Sequence, residues 1–319
     1  MESKKALPVA AIVGPTAVGK TAVSLTLASR LGAEIISVDS RQVYRYLDVG
    51  ADKASPAVRR QIPHHLIDVA DPDEVFSAAD FVARARSAAL RIVNRGRIPL
   101  FVGGTPFYYS ALFKNTLSDG APKDDGLRRE LEEFAGKEGR EALHRRLAAA
   151  DPETAARLHV NDVRRVVRAL EIFTLTGTAQ SEWFRTAGKI SGNGEFDVLY
   201  IGLNRDRSLL FRSIERRVGE QFAGGFPEEV EWLLSLGYDE RFPSMQGFGY
   251  RELVEYFRGK ISLREAAERD VSQTKAFSRR QMTWFGKFEP IIWYDTSDGL
   301  TDELSDRIEK EVRAHLGNR

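Results

Sequence analysis

Val9-Ala10-Ala11-Ile12-Val13-Gly14-Pro15-Thr16-Ala17-Val18-Gly19-Lys20-Thr21 runs from an apolar stretch directly into a loop with a glycine near each end. The apolar, partly β-branched run 9–13 predicts a buried parallel strand. Residues 14–21 match G-x-x-x-x-G-K-[ST], and 22–31 continue with helical periodicity. The loop thus lies between a strand and a helix, the setting in which this pattern binds phosphate. Its glycines let backbone N–H groups turn inward as an anion nest, and the helix N-terminus adds positive potential. Lys20 supplies a mobile cation, and the Thr21 hydroxyl is placed to hold Mg²⁺ beside the phosphates. A diphosphate ester satisfies such a loop as well as ATP does.

Strand and helix keep alternating around it. Residues 33–38 read as a second strand ending at Asp39-Ser40. Residues 76–94 read as a helix with Ser77 as N-cap and Asp80 as its capping-box partner. Residues 98–102 form a third apolar strand closed by Gly103-Gly104-Thr105. This order predicts an α/β fold, a P-loop NTPase-like and mainly parallel sheet flanked by helices. From 122 to 188 strand character vanishes in favour of Arg-, Glu-, Ala- and Leu-rich helical sequence. A turn at 123–126 and a glycine-serine stretch at 188–194 bracket that block. Strands return at 196–203 and 291–294. The expected organisation is a discontinuous catalytic core, 1–121 and 195–319, interrupted by an all-helical insertion at 122–194.

Composition narrows the function classes. Of 319 residues, 42% are hydrophobic, enough for a sizeable core, and cysteine is absent. Disulfides, thiolate metal sites and thiol nucleophiles are excluded. No run approaches the roughly 18 apolar residues of a membrane span, so a soluble, cytoplasmic protein is expected. Net charge is only +1, but arginines cluster at 140–146, 157–168, 205–217 and 279–280. Such clusters suit bidentate phosphate contacts, and they equally suit solvated helix faces. His64 and His65 have no third ligand at metal-site spacing and read as structural.

Further motifs lie along the chain: Ser37-Val38-Asp39-Ser40-Arg41-Gln42-Val43-Tyr44, Pro63-His64-His65-Leu66-Ile67-Asp68 and Val102-Gly103-Gly104-Thr105. His159-Val160-Asn161-Asp162 precedes Arg164-Arg165-Val166-Val167-Arg168-Ala169-Leu170-Glu171. Gly247-Phe248-Gly249-Tyr250-Arg251 and Arg279-Arg280-Gln281-Met282-Thr283-Trp284-Phe285 follow. Together with the loop, this set resembles the tRNA dimethylallyltransferases over nearly the whole chain. The resemblance implies transfer of the dimethylallyl group of dimethylallyl diphosphate to the exocyclic amine of adenosine 37 in tRNA. The loop would then hold the donor's diphosphate, with Mg²⁺ on Thr21.

It further implies catalytic roles for Asp39 as proton acceptor, for Lys20 and Arg217 on the leaving diphosphate, and for the Thr105 hydroxyl. Read from the residues alone, Asp39 also fits a Mg²⁺ ligand or helix cap, Arg217 a surface arginine and Thr105 a loop cap. Arg128, Arg164, Arg165, Val166, Val167 and Arg168 are implied to meet the tRNA anticodon stem-loop from the insertion. Asp39, Ser40, Arg41 and Gln42, with Gln246 to Arg251, would line the channel for an adenine taken out of its stack. Arg280, Gln281 and Trp284 add basic, amide and aromatic groups, although Trp284 equally fits core packing. No obligate protein partner is expected.

Two positions depart from the family's usual pattern. Ser213 stands where an arginine is usual four residues before Arg217, and Ala51 replaces a hydroxyl ahead of Lys53. Three other readings share the loop. A small-molecule kinase would need a lid with catalytic arginines and leaves the insertion unexplained. An adenylate isopentenyltransferase would act on a free nucleotide. A non-catalytic RNA-binding protein gives no reason for intact Lys20, Thr21 and Asp39.

Overall fold

A computed structural model describes residues 6–114, 121–190 and 195–317, with side chains to residue 185 in the second stretch. Six strands, β1 (Leu7–Val13), β2 (Ala33–Val38), β3 (His64–His65), β4 (Ile98–Gly103), β5 (Phe196–Asn204) and β6 (Ile291–Asp295), form one sheet in the order β3-β2-β4-β1-β5-β6. Every pairing is parallel. β1 is central, with Ile12 opposite Val102 of β4 on one side and Ile201 of β5 on the other. That position explains its uninterrupted apolar sequence, because helices cover both faces. Residues 9–13 are fully buried.

Two details differ from the sequence reading. β3 is a two-residue edge strand, too short to give an alternating pattern. The helix expected from residue 76 begins at Ala78. There the Ser77 side chain accepts the Asp80 N–H, and Asp80 accepts the Ser77 N–H at 2.9 Å. This reciprocal cap fixes where the helix starts.

The chain divides into two compact units, Met1–Phe113 with Glu195–Arg319, and Lys114–Gly194. In the first unit, Lys20–Leu31 and Asp302–Leu316 pack apolar faces on the sheet around Ile12, Leu27, Ile201 and Ile308. A second cluster joins Val43, Tyr44 and Leu47 to Phe226, Leu233, Met245, Tyr250 and Leu253. It anchors the segments that follow β2.

The second unit is helical throughout its described residues, with no strand from 121 to 190. Expected as a break from Gly188, its backbone stays helical to Ile190, and residues 191–194 lie outside the described ones. Leu131, Leu143, Leu147, Val166, Val167 and Leu170 make its core. Val166 and Val167 are therefore packing residues, which corrects their assignment as tRNA contacts. Burial alone would raise the Glu171 pKa, but the Asp124 N–H with Arg168 and Arg128 holds it below the ordinary range. Arg168 Nη1 lies 2.5 Å and Arg128 Nε 3.0 Å from its carboxylate. Both arginines pair with this buried carboxylate while about a third of the Arg128 side chain and a quarter of the Arg168 side chain stay exposed. Arg164 is exposed, and Arg165 keeps a loose 3.2 Å pair with Asp162 at the surface.

Candidate active site

Four strands deliver their next residues to one place. The loop after β1, Asp39 after β2, Gly104 and Thr105 after β4, and Arg205 after β5 line a cavity of about 630 Å³ within the first unit. Ligands in open parallel sheets bind outside the carboxyl ends of the strands for this reason.

The phosphate loop is held in a demanding conformation. Gly19 has φ 103° and is the N-cap of the helix Lys20–Leu31 without a side-chain cap, so the first N–H groups of that helix face the cavity's end of the loop. Gly14 has φ 149°, and a β-carbon there would stand 2.6 Å from the Leu203 carbonyl oxygen. Ala17 sits at φ 62°, left-handed for a non-glycine residue. The Lys20 ammonium folds back to donate to the Gly14 and Pro15 carbonyls at 3.0 and 2.8 Å. Burial pushes its pKa down to about 8, against the opposing pull of Asp39 and with a further push from Arg217. A buried cation beside a glycine loop favours an anion that restores its charge.

Asp39 accepts the N–H groups of Arg41 and Gln42 on Oδ1, at 2.8 and 3.3 Å. The Thr105 hydroxyl oxygen accepts the Ser40 N–H at 3.2 Å, tying the ends of β2 and β4 together. Arg217 reaches the cavity and donates from Nη1 to Asp52 at 3.3 Å. Lys20, Asp39, Thr105 and Arg217, the expected catalytic set, thus line one cavity. So does Thr21, whose side chain is exposed to the cavity.

Other expected site residues have structural partners. Gln281 is 2% exposed, accepts the Thr16 N–H at 2.9 Å and donates to the Gly104 carbonyl. Its assignment to RNA is corrected: it braces the phosphate loop against the end of β4. Arg41 donates to the Pro243 and Ser244 carbonyls, and Gly247 packs on its guanidinium. Gln42 spans Ser37 and the carbonyls of Ala51 and Asp52. Tyr250 lines the cavity beside Phe248, with its ring packed in the core and its hydroxyl donating to Glu229. Phe248 faces the cavity, while Gln246 is exposed and Arg251 pairs with Glu252. Arg280 lies 5.8 Å from the Phe277 ring and 6.0 Å from the Phe248 ring. Trp284 is 39% exposed beside Arg279 and Arg280, which removes the core-packing alternative. Lys53 is buried between Asp48, Asp68 and the Tyr44 carbonyl, a structural tie.

The cavity also holds residues that the sequence reading does not single out, among them Arg205, Asp270 and Thr274. Burial raises the Asp270 pKa to about 6, against the Thr274 hydroxyl bond and with help from Glu252. Arg205 had a signal, since it is the first residue after a central strand inside a basic cluster.

The Gln281 brace has a measurable consequence. Gln281→Met preserves shape but strands the Thr16 N–H and the Gly104 carbonyl, and should lower unfolding free energy by about 2–3 kcal/mol. Denaturant unfolding checks this, and an unchanged midpoint would mean the two bonds are dispensable.

A parallel sheet with this loop, a carboxylate and several cations at its carboxyl edge has the arrangement of a P-loop protein with an anion-binding cavity. The model of the IPP transferase family matches residues 42–288, and the chain belongs to that family. It is 43% identical over 306 residues to a tRNA dimethylallyltransferase of Geobacillus thermodenitrificans, covering 96% of this chain and 95% of that one. A tRNA dimethylallyltransferase of Thermomicrobium roseum is 43% identical over 312 residues, covering 97% and 93%. Among solved structures, the full-length tRNA isopentenylpyrophosphate transferase of Bacillus halodurans superposes with TM-score 0.73 at 38% identity, covering 98% of this chain and 97% of that one. A eukaryotic dimethylallyltransferase captured acting on tRNA superposes with TM-score 0.79 at 29% identity, covering 92% and 75%.

Proposed function

We propose that this protein transfers the dimethylallyl group of dimethylallyl diphosphate to the exocyclic amine of adenosine 37 in tRNA, giving N6-isopentenyladenosine and diphosphate. The observation that supports this most directly is the meeting of Lys20, Asp39 and Arg217 around one cavity with the phosphate loop. As the amine nitrogen bonds to the allylic carbon, the carbon–oxygen bond to diphosphate breaks and the amine proton passes to Asp39. An aromatic amine is a weak nucleophile, so the reaction needs that proton removed and the departing charge neutralised. Loop N–H groups, Lys20 and Arg217 neutralise it, and Thr105 holds the loop carrying Asp39 in register.

Among the described residues no cluster of three or more carboxylates and histidines could cage a metal. The Thr21 hydroxyl, exposed to the cavity beside the phosphate loop, would hold Mg²⁺ together with phosphate and water oxygens. When bound, Mg²⁺ offsets charge on the diphosphate. The acceptor is the anticodon stem-loop; within the first unit Phe248, Arg280 and Trp284 offer aromatic and basic groups to it, and within the second the exposed Arg164 and Arg165 suit phosphate contacts. Among the described residues no helix is long and apolar enough to cross a membrane, and we place the reaction in the cytoplasm, without an obligate protein partner.

The test is incubation with dimethylallyl diphosphate, Mg²⁺ and either bulk tRNA or AMP, followed by mass analysis of nucleosides. Prenylated adenosine from tRNA alone is expected. A product from AMP alone would mean a free-nucleotide enzyme, and no product from either would defeat the proposal.

Arg164→Ala combined with Arg165→Ala should weaken tRNA binding and lower the salt slope of log Kd by about one to two. Arg168→Ala should instead destabilise the fold by about 2–3 kcal/mol, because buried Glu171 loses a partner. Filter binding across salt and thermal unfolding separate the two. Equal effects in both assays would defeat this division of the helix.

A further inference from the structure

Arg205 is the first residue after β5 and is partly buried, and it lines the same cavity as Lys20, Thr21 and Arg217. Its Nη1 donates to the Ser213 hydroxyl at 3.0 Å. Its Nε is buried from water and meets no acceptor, and the same is true of the Nε of Arg217. Arg217 at least has Asp52 as counter-ion. Among the described residues, no carboxylate lies within ion-pair distance of Arg205. Arg128, Arg168, Arg59 and Arg95, all removed in part from water, each have one. Withdrawing a guanidinium from water without a counter-charge is costly, and it persists where an anion arrives from outside.

From this we infer that Arg205 is a further ligand of the donor's diphosphate, held in place by Ser213. The inference deepens the proposed function and rests on its reading of the phosphate loop. The loop approaches the diphosphate from the end of β1, and Arg205 approaches from the end of the neighbouring strand β5. Ser213 sits on the helix Arg207–Ala223, on which Arg217 lies one turn further on. Ser213 and Arg217 therefore share a face, so the arginine that Ser213 holds and Arg217 itself come to the cavity from one side. A guanidinium offers five donors in a fixed fork, and Ser213 takes one of them. The remaining donors suit oxygens of a phosphate or of the bridged pair in a diphosphate.

A phosphate could also come from the tRNA backbone, and the experiment separates the two sources. Inorganic diphosphate with Mg²⁺ is titrated calorimetrically into wild type, Arg205→Met, Arg205→Lys, Ser213→Ala and Lys20→Ala. tRNA binding is measured for the same proteins, and circular dichroism confirms folding. Arg205→Met should weaken diphosphate binding by about tenfold to a hundredfold, the range of a charge-assisted hydrogen bond. Arg205→Lys should recover part of that loss, and so controls for any misfolding of the methionine variant. Ser213→Ala should weaken it by about two- to tenfold through the loosened guanidinium. Unchanged diphosphate affinity in Arg205→Met, or a loss confined to tRNA, overturns the inference. Lys20→Ala reports separately on the loop. If it weakens diphosphate while Arg205→Met does not, only the role of Arg205 falls; if neither does, the loop reading falls with it.

Discussion

Asp39→Ala is expected to lower turnover by about 10²–10⁴-fold, the span of a positioned proton acceptor, while tRNA affinity stays nearly unchanged. The structure also gives Asp39 a local task, because its Oδ1 accepts the N–H groups of Arg41 and Gln42. Alanine would remove both functions at once. Asp39→Asn separates them, since an amide oxygen can still accept those two N–H groups but cannot take up the amine's proton. Single-turnover rates for both variants decide the matter. If the asparagine variant is as slow as the alanine variant, and both bind tRNA, the carboxylate acts in the chemistry. Recovery of asparagine activity near the wild-type rate would reduce Asp39 to a turn-former. A rate deficit abolished by raised Mg²⁺ would make Asp39 chiefly a metal ligand.

What could be read from sequence follows from how local each signal is. β1 and the loop after it were legible because a buried central strand has a continuous apolar sequence and the loop has fixed spacing. The capping box at Ser77 and Asp80 was legible for the same reason, since both partners lie within one turn. β3 was not, because two edge residues have no period.

The site divides along the same line. Asp39 directly follows β2, Thr105 stands just past the end of β4 and Lys20 closes the loop after β1, so sequence order placed them. Gln281 was misassigned because its partners, Thr16 and Gly104, are distant in sequence and its motif looked like a basic-aromatic surface. Val166, Val167 and Arg168 were read as one interface. Helical phase separates them: the valines turn into the core, and Arg168 turns towards Glu171. Buried Glu171 could not be identified as the partner of two arginines without knowing which helices pack together. Arg205 was visible as a basic residue, but its lack of a counter-ion is a property of the folded surroundings.

Lys20→Ala should weaken diphosphate binding by about 10²–10³-fold at neutral pH, the scale of losing one preorganised donor to a charged group. The loss should carry a pH signature. In the free protein, burial has lowered the Lys20 pKa to about 8, so the side chain is mostly charged at pH 7 and mostly neutral above 9. A diphosphate in the loop favours the charged form and raises that pKa in the complex. Below pH 8 Lys20 is charged in both states and contributes no pH dependence. Above pH 8 binding must take up a proton, and affinity should fall by about tenfold per pH unit until the pKa of the complex is reached. Lys20→Ala has no such group, so its affinity should be low but flatter from pH 8 upwards. The ratio of wild-type to variant affinity cancels the ligand's own titration and isolates Lys20. Titrations at intervals from pH 6.5 to 9.5 should show that ratio constant on the acid side and falling on the alkaline side. A constant ratio throughout would mean that Lys20 keeps its proton in the free loop. A ratio near one at every pH would mean that the diphosphate is held elsewhere.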